Sequence, residues 1–166
     1  MTLRHLLSIL LLPFVAAVVV PEWIRSSMRP ADSRWPPDST LALGGRALGA
    51  LLLLAGIALA GWCIVLFARV GKGTLAPWDP TSRLVAVGPY RYTRNPMITG
   101  VAATLAGQAL LIGSRCIALW FLLFVAINHT YFLLSEEPGL EKRFGEDYRA
   151  YKRQVPRWIP RPVKRR

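Results

Sequence analysis

Two short runs in this chain carry residue types that can do chemistry. The run Gly88-Pro89-Tyr90-Arg91-Tyr92-Thr93-Arg94-Asn95-Pro96 sets two guanidinium groups among aromatic rings, between two prolines and directly before an apolar stretch. Such a run can anchor at a lipid boundary, with rings and Arg stems in the interface, or it can offer a fixed cation to an anionic ligand. The second run is Glu136-Glu137, adjacent carboxylates that follow another apolar stretch in a region dense in Lys and Arg. They can pair with Arg91 or Arg94, or accept hydrogen bonds from an amine or from sugar hydroxyls. An ion pair kept only for structure is replaceable by apolar packing at little cost, so the clustering favours a ligand.

Asn128 and His129 lie inside an apolar stretch, about two turns before Glu136-Glu137. Polar groups are costly there. They either line a pocket or hydrogen-bond Gln108 on a neighbouring helix. Cys63 and Cys116 sit in apolar stretches with no His or Cys at a ligand spacing, which makes them small buried hydrophobes and leaves no metal site to expect.

The elements that position these groups follow from hydropathy. Four apolar blocks free of Asp, Glu, Lys and Arg run from about Leu6 to Val20, Ala47 to Phe67, Met97 to Gly113 and Cys116 to Leu134. A helix needs about 20 residues to cross the hydrocarbon of a bilayer. The second and fourth blocks meet that length, and the first and third need their flanks. The fold class expected is therefore all-α, an integral membrane protein of four spans forming a single domain over 1–166, with N-terminal spans and loop in 1–70 and a core in 84–162. A cleaved secretory leader is the other reading of the first block, but Val18, Val19, Val20 and Pro21 follow Ala16 and Ala17, and no small-x-small site closes it.

The net charge of +12 is distributed in a way that points to lipid and away from nucleic acid. With four spans, 16 of the 21 Lys and Arg fall on one side and 5 on the other. The positive-inside rule then puts both termini in the cytosol, as in a bacterial inner membrane, where anionic headgroups attract the basic face.

Between the first two blocks, Trp23 and Trp35 are placed to rest at the interface in a Pro-interrupted loop. Gly45, Gly49 and Gly56 allow close helix packing in the second. Only Ser114 and Arg115 part the third and fourth, so these form a tight hairpin whose open ends bring Pro89–Pro96 together with Ser135–Glu137. Leu140, Phe144, Tyr148 and Tyr151 recur at intervals of four, four and three, one face of an amphipathic helix on the cytosolic surface. Pro156 and Pro160 end it.

Phe144-Gly145-Glu146-Asp147-Tyr148-Arg149-Ala150-Tyr151 and Val155-Pro156-Arg157 complete a set. Gly-Pro-Tyr-Arg, Arg-x-Pro, Glu-Glu, Phe-Gly-x-x-Tyr-x-x-Tyr and Val-Pro-Arg, in this order over about 84–162, resemble the isoprenylcysteine carboxyl methyltransferase family, grouped with the membrane phospholipid methyltransferases. The resemblance implies S-adenosylmethionine bound by Gly88, Tyr90, Asn95, Pro96, Glu136, Glu137, Tyr148 and Pro156, with a lipid entering from the bilayer. It implies catalytic roles for Arg94 and Glu137 and a substrate end at Arg94 and Gln154, an end that His129 joins if it lines the pocket and does not bond Gln108. Two positions depart from the family pattern: Asn95 replaces its His, and Gln154 stands where many prenylcysteine methyltransferases carry Arg.

Methyl transfer from a sulfonium needs alignment and dryness more than a nucleophile. A carboxylate acceptor needs only an orienting cation such as Arg94, whereas an amine acceptor needs a base such as Glu137. Three readings compete with a prenylcysteine-like carboxylate acceptor. They are a phospholipid amine N-methyltransferase, a nicotinamide-dependent sterol-type reductase and a non-catalytic membrane adaptor.

Overall fold

A computed structural model describes residues 13–27, 35, 39–66, 69 and 84–160. The start of the first apolar block, most of the loop after it, the basic stretch before Leu84 and the final basic residues lie outside the described residues. Among the described residues all regular structure is helical. A π-turn over Val15–Val19 runs into α1 (Val20–Ser27), and α2 follows over Thr40–Leu66. A 3-10 turn at Gly88–Arg91 leads to α3 (Pro96–Ile112) and α4 (Arg115–Tyr131). A second π-turn over Phe132–Glu136 leads straight into α5 (Glu137–Gln154).

Two helices are long and apolar enough to cross a membrane, α2 and the continuous helical run Arg115–Gln154, while α3 is apolar but shorter. Its 17 residues rise about 25 Å, less than the ~30 Å of a hydrocarbon core. The reason α3 can be short is its place. Each cluster of buried apolar side chains includes α3 residues: Val101, Ala102 and Leu105 with Ala17 and Phe124, Met97 with Cys63 and Tyr90, and Ala109 with Ile24 and Ile117. It is the central helix, and its neighbours present their outer faces to the surroundings.

The most extensive packing is between α2 and α3, not within the hairpin of α3 and α4. Glycines explain this. Gly49 and Gly56 on α2 face Gly107 and Gly100 on α3, so the two antiparallel helices match small residues at the same seven-residue spacing. A Cβ on Gly56 would stand 2.6 Å from Gly100 O, and one on Gly107 would stand 2.5 Å from Leu53 N. Backbones this close gain dispersion contact along the whole seam.

The hairpin itself turns on Gly113 and Ser114, one residue earlier than the spacing of the apolar blocks suggests. Gly113 adopts φ 73° and its N–H bonds Ala109 O at 2.8 Å, the left-handed cap that ends α3. Ser114 then caps α4 by accepting from Ile117 N at 3.0 Å. Trp35 is half-buried rather than resting free at the interface. It donates to Leu110 O at 2.6 Å and lies where a side chain on Gly45 or Gly113 would have to be.

The chain after α4 does not begin a separate surface helix. It continues without a loop, and the π-turn has an identifiable cause. Pro138 has no N–H to give Leu134, and its ring crowds the preceding turn, so Glu137 N–H reaches one residue further back, to Phe132 O. Gly145 then breaks the helical path with φ 55° and ψ −126°. The face expected from Leu140, Phe144, Tyr148 and Tyr151 is therefore bent. Only Tyr148 of the four is fully buried.

The seam gives a direct test. Gly107→Ala should cost about 1–3 kcal/mol through overpacking against backbone, read as a lower unfolding midpoint in detergent. Gly44→Ala, where nothing lies within 4 Å, should be neutral or gain up to about 1 kcal/mol of helix propensity. Equal midpoints for the two variants would mean that the seam does not limit stability.

Candidate active site

The turn before α3 is built to present Arg94. Gly88 opens it at φ 58°, packed on the end of α2 where a Cβ would meet Leu66 Cδ1 at 2.7 Å. Pro89 presets the 3-10 turn that follows. Tyr90 is buried, with its hydroxyl against the Cys63 thiol, and its carbonyl accepts the Tyr151 hydroxyl at 2.7 Å. Asn95 is buried and starts α3 through its carbonyl, which accepts Thr99 N at 3.0 Å and Thr99 Oγ1 at 2.9 Å, while fully buried Pro96 supplies the first helical position.

The tail after α5 crosses this turn. Arg94 N–H donates to Pro156 O at 2.9 Å, and Thr93 Oγ1 donates to Arg157 O at 2.8 Å. Trp158 Nε1 donates to His129 Nδ1 at 3.1 Å, and its ring packs on Phe132 with centroids 5.5 Å apart. His129 thus faces the tail. Gln108 instead donates to Ala17 O at 2.7 Å, and Asn128 to Phe124 O at 2.8 Å, so neither expected bond between Gln108 and the Asn128-His129 pair forms.

At the centre is Glu137, with a side chain only 7% exposed. Arg157 Nε donates to its Oε1 at 2.6 Å, and Arg94 Nη1 lies 2.8 Å from the same oxygen. Lys152 Nζ stands 3.4 Å from Oε2. Arg94 Nη1 is close but misaligned for a hydrogen bond, and Arg94 Nε is buried without a hydrogen-bond partner among the described residues. Burial raises the Tyr148 phenol above its usual range, against the opposing effect of the Arg94 guanidinium. Arg91, the other expected partner of the Glu pair, is exposed, as is Gln154 at the end of α5.

Both carboxylates lie beyond the apolar stretch that ends at Leu134, and their environments separate them. Burial pushes Glu136 up to about 7, with help from the neighbouring Glu137 charge and against Arg94. Burial also pushes Glu137 up, but the Arg157 hydrogen bond and the charges of Arg94 and Arg157 outweigh it and hold Glu137 below the ordinary carboxylate range. One turn away, Ala126, Ile127, Thr130, Tyr131, Leu134 and Ser135 line an open, mostly apolar groove on the outer face of the helix.

Of the residues singled out in the sequence, Tyr90, Arg94, Asn95, Pro96, Glu136, Glu137, Tyr148 and Pro156 gather around this junction. Gly88 shapes the turn from behind, His129 joins through Trp158, and Gln154 stays outside. Arg157, Lys152 and Trp158 join the cluster without having been given a role in the site from the sequence. Arg157 carried a visible signal, its place beside Pro156 in the Val-Pro-Arg run. Lys152 looked like any solvated basic residue of a helix.

Apolar helices ending in a buried Arg–Glu cluster beyond the apolar stretch make this a helical membrane-type protein with a polar site at the end of its bundle. The chain belongs to the phospholipid methyltransferase family, which it matches over residues 45–147 and which includes the isoprenylcysteine carboxyl methyltransferases. It is accordingly a membrane methyltransferase acting on lipid-type substrates. The match takes in the glycine seam as well as the Glu pair, and it stops before Tyr148 and the tail. The chain is also similar to an uncharacterised protein of Haemophilus influenzae, at 30% identity over 63 residues, 38% of this chain and 100% of that protein.

The two carboxylates predict opposite pH effects on stability. Glu137, depressed when folded, contributes stability present above its unfolded value of about 4.3 and lost as pH falls through the lower folded value. Glu136, raised when folded to about 7, holds its proton more tightly in the native state, so stability falls as pH rises from about 4.3 towards 7. Glu136→Gln should flatten the decline in unfolding midpoint across that window and leave the acid side unchanged. A midpoint that stays flat in the parent protein would refute the assignment.

Proposed function

We propose that this chain transfers a methyl group from S-adenosylmethionine to a lipid-linked acceptor at the membrane interface, and that the acceptor is a prenylcysteine-like carboxylate. One observation carries the acceptor: a buried Arg94 guanidinium whose Nε has no hydrogen-bond partner among the described residues. A buried cationic donor left unpaired is costly, and a carboxylate is the group a guanidinium binds best. Family membership supports methyl transfer over nicotinamide-dependent reduction.

The residues fit the cofactor. It carries an amine, a carboxylate and ribose hydroxyls, and the junction offers Glu136 as an acceptor beside cationic donors. The turn from Gly88 to Pro96, Glu136, Tyr148 and Pro156 would hold it. When bound, it supplies an electrophilic methyl group on a sulfonium. Arg94 orients the acceptor carboxylate, which is ionised at neutral pH and needs no base. Buried Tyr90, Pro96 and Tyr148 keep water from the junction. Glu137 serves Arg94 and is the weaker base of the pair, because Arg94 and Arg157 stabilise its ionised form. For an amine acceptor we favour Glu136 over Glu137 as the base, since its carboxyl is the less acidic of the two.

That choice of base supports a second reading, N-methylation of an aminophospholipid, since a carboxyl near 7 can accept a proton at neutral pH. The apolar groove beside Ser135 suits the chain of either lipid. We further propose four spans with both termini in the cytosol of a bacterial inner membrane, on the 16 to 5 charge asymmetry. A periplasmic signal from a reporter fused at Arg166 would reverse that topology.

The acceptor is tested with labelled cofactor, N-acetyl-S-farnesylcysteine and phosphatidylethanolamine in parallel. Methylation of the farnesylcysteine should fall about a hundredfold in Arg94→Ala, the loss of two charge-assisted hydrogen bonds, with cofactor affinity little changed. Arg94→Lys should recover little, because a point charge lacks the planar fork. Methylation of the amine lipid alone, lost in Glu136→Gln and kept in Arg94→Ala, would establish the second reading.

A further inference from the structure

An unhindered carboxylate facing a guanidinium closes on it with two parallel N–H···O bonds. Glu137 does not do this to Arg94. Its Oε1 is taken by Arg157 Nε at 2.6 Å, and Lys152 stands at Oε2, 3.4 Å away. Arg94 Nη1 lies 2.8 Å from that same Oε1 without forming a hydrogen bond, and Arg94 Nε is also left without a partner among the described residues. We propose, resting on the acceptor reading above, that Arg157 is a positioning residue: by occupying Glu137 it keeps Glu137 from closing a two-point pair with Arg94, and so leaves Arg94 Nε open to an acceptor carboxylate.

Three features make this more than a tie that holds the tail down. The tail has its own anchors, Arg94 N–H to Pro156 O, Thr93 to Arg157 O and Trp158 to His129, none of which uses the Arg157 side chain. Arg157 and Arg94 share one oxygen, so their effects on it are competitive. The groups facing Glu137 come from every element around it: Arg94 from the turn before α3, Glu136 from the π-turn, Tyr148 and Lys152 from α5 and Arg157 from the tail. Removing Arg157 leaves burial raising the Glu137 carboxyl against Arg94, with Lys152 Nζ 3.4 Å from Oε2.

The test uses the full chain in nanodiscs and reads binding, not turnover. Calorimetry compares N-acetyl-S-farnesylcysteine with its methyl ester, which has the same prenyl chain and no anion. The parent protein should prefer the acid, and Arg157→Gln should lose about tenfold of that preference, one hydrogen bond to a charged group, with ester affinity unchanged. Arg157→Lys should recover only part, because a single ammonium cannot reproduce the Nε contact. Carbon-13 titration of Glu137, identified by its absence in Glu137→Gln, should move to higher pH in Arg157→Gln. Equal binding of acid and ester by the parent protein would overturn the acceptor reading and this proposal together. A parental preference that survives intact in Arg157→Gln would overturn the positioning role alone. Loss of ester binding along with acid binding in that variant would show a structural tie and overturn it as well.

Discussion

The arrangement depends on one buried carboxylate. Glu137 is almost fully enclosed, and a charge in that position is costly unless opposite charges and hydrogen bonds surround it. The compensating groups come from three places in the chain: Arg94 before α3, Lys152 in α5 and Arg157 in the tail. None of these segments could leave without stranding the others. The carboxylate therefore does in this protein what a disulfide or a metal does in small soluble folds, closing segments 94 to 157 around a point where each alone would be marginal.

A fixed centre needs a fixed frame, and the glycine seam supplies it. Gly49, Gly56, Gly100 and Gly107 bring α2 and α3 to backbone contact, which sets the height at which α3 begins. Pro96 starts α3 where Cys63 and Tyr90 pack against Met97. The turn carrying Arg94 therefore inherits its position from helix packing rather than from its own few residues. On the other side, Pro138 forces the π-turn, which advances Glu137 by one residue relative to an ideal helix. A π-turn shifts every later side chain around the axis by about 100°, so without it Glu137 would point away from Arg94.

This explains which parts could be read from the sequence. The apolar blocks, the hairpin and the meeting of Arg94 with Glu136-Glu137 follow from hydropathy and loop length, because a two-residue turn leaves the open ends no freedom. The closeness of α2 and α3 was also foreshadowed by the glycines of α2, although their partners Gly100 and Gly107 were not identified. Other features were hidden for physical reasons. The π-turn depends on where one missing N–H falls, and Gly145 breaks a pattern that has perfect helical spacing on paper. Lys152 and Arg157 join the site through long flexible stems whose direction no periodicity encodes. His129 pairs with Trp158 because the tail folds back, a long-range event that helical spacing between neighbours could not show.

The adjacent glutamates show how much of this chemistry is environment and how little is residue type. Glu136 and Glu137 share a backbone, a span end and a desolvated setting, and burial opposes ionisation of both. Two guanidinium groups reach Glu137, one of them by a direct hydrogen bond at 2.6 Å, and they reverse the effect of burial there. Glu136 feels Arg94 only at a distance and feels the ionised Glu137 next to it, so its proton is retained to about 7. The ionisation of one glutamate thus helps to keep the other protonated. On the proposed reading this divides the labour at the site. Glu137 remains ionised to set the cations, while Glu136 can donate or accept a hydrogen bond according to the ligand that faces it. A pair of identical residues that titrate far apart can serve both an anion-binding guanidinium and an amine-bearing cofactor within one junction, where two carboxylates of equal acidity would repel each other and neutralise the cation the acceptor needs.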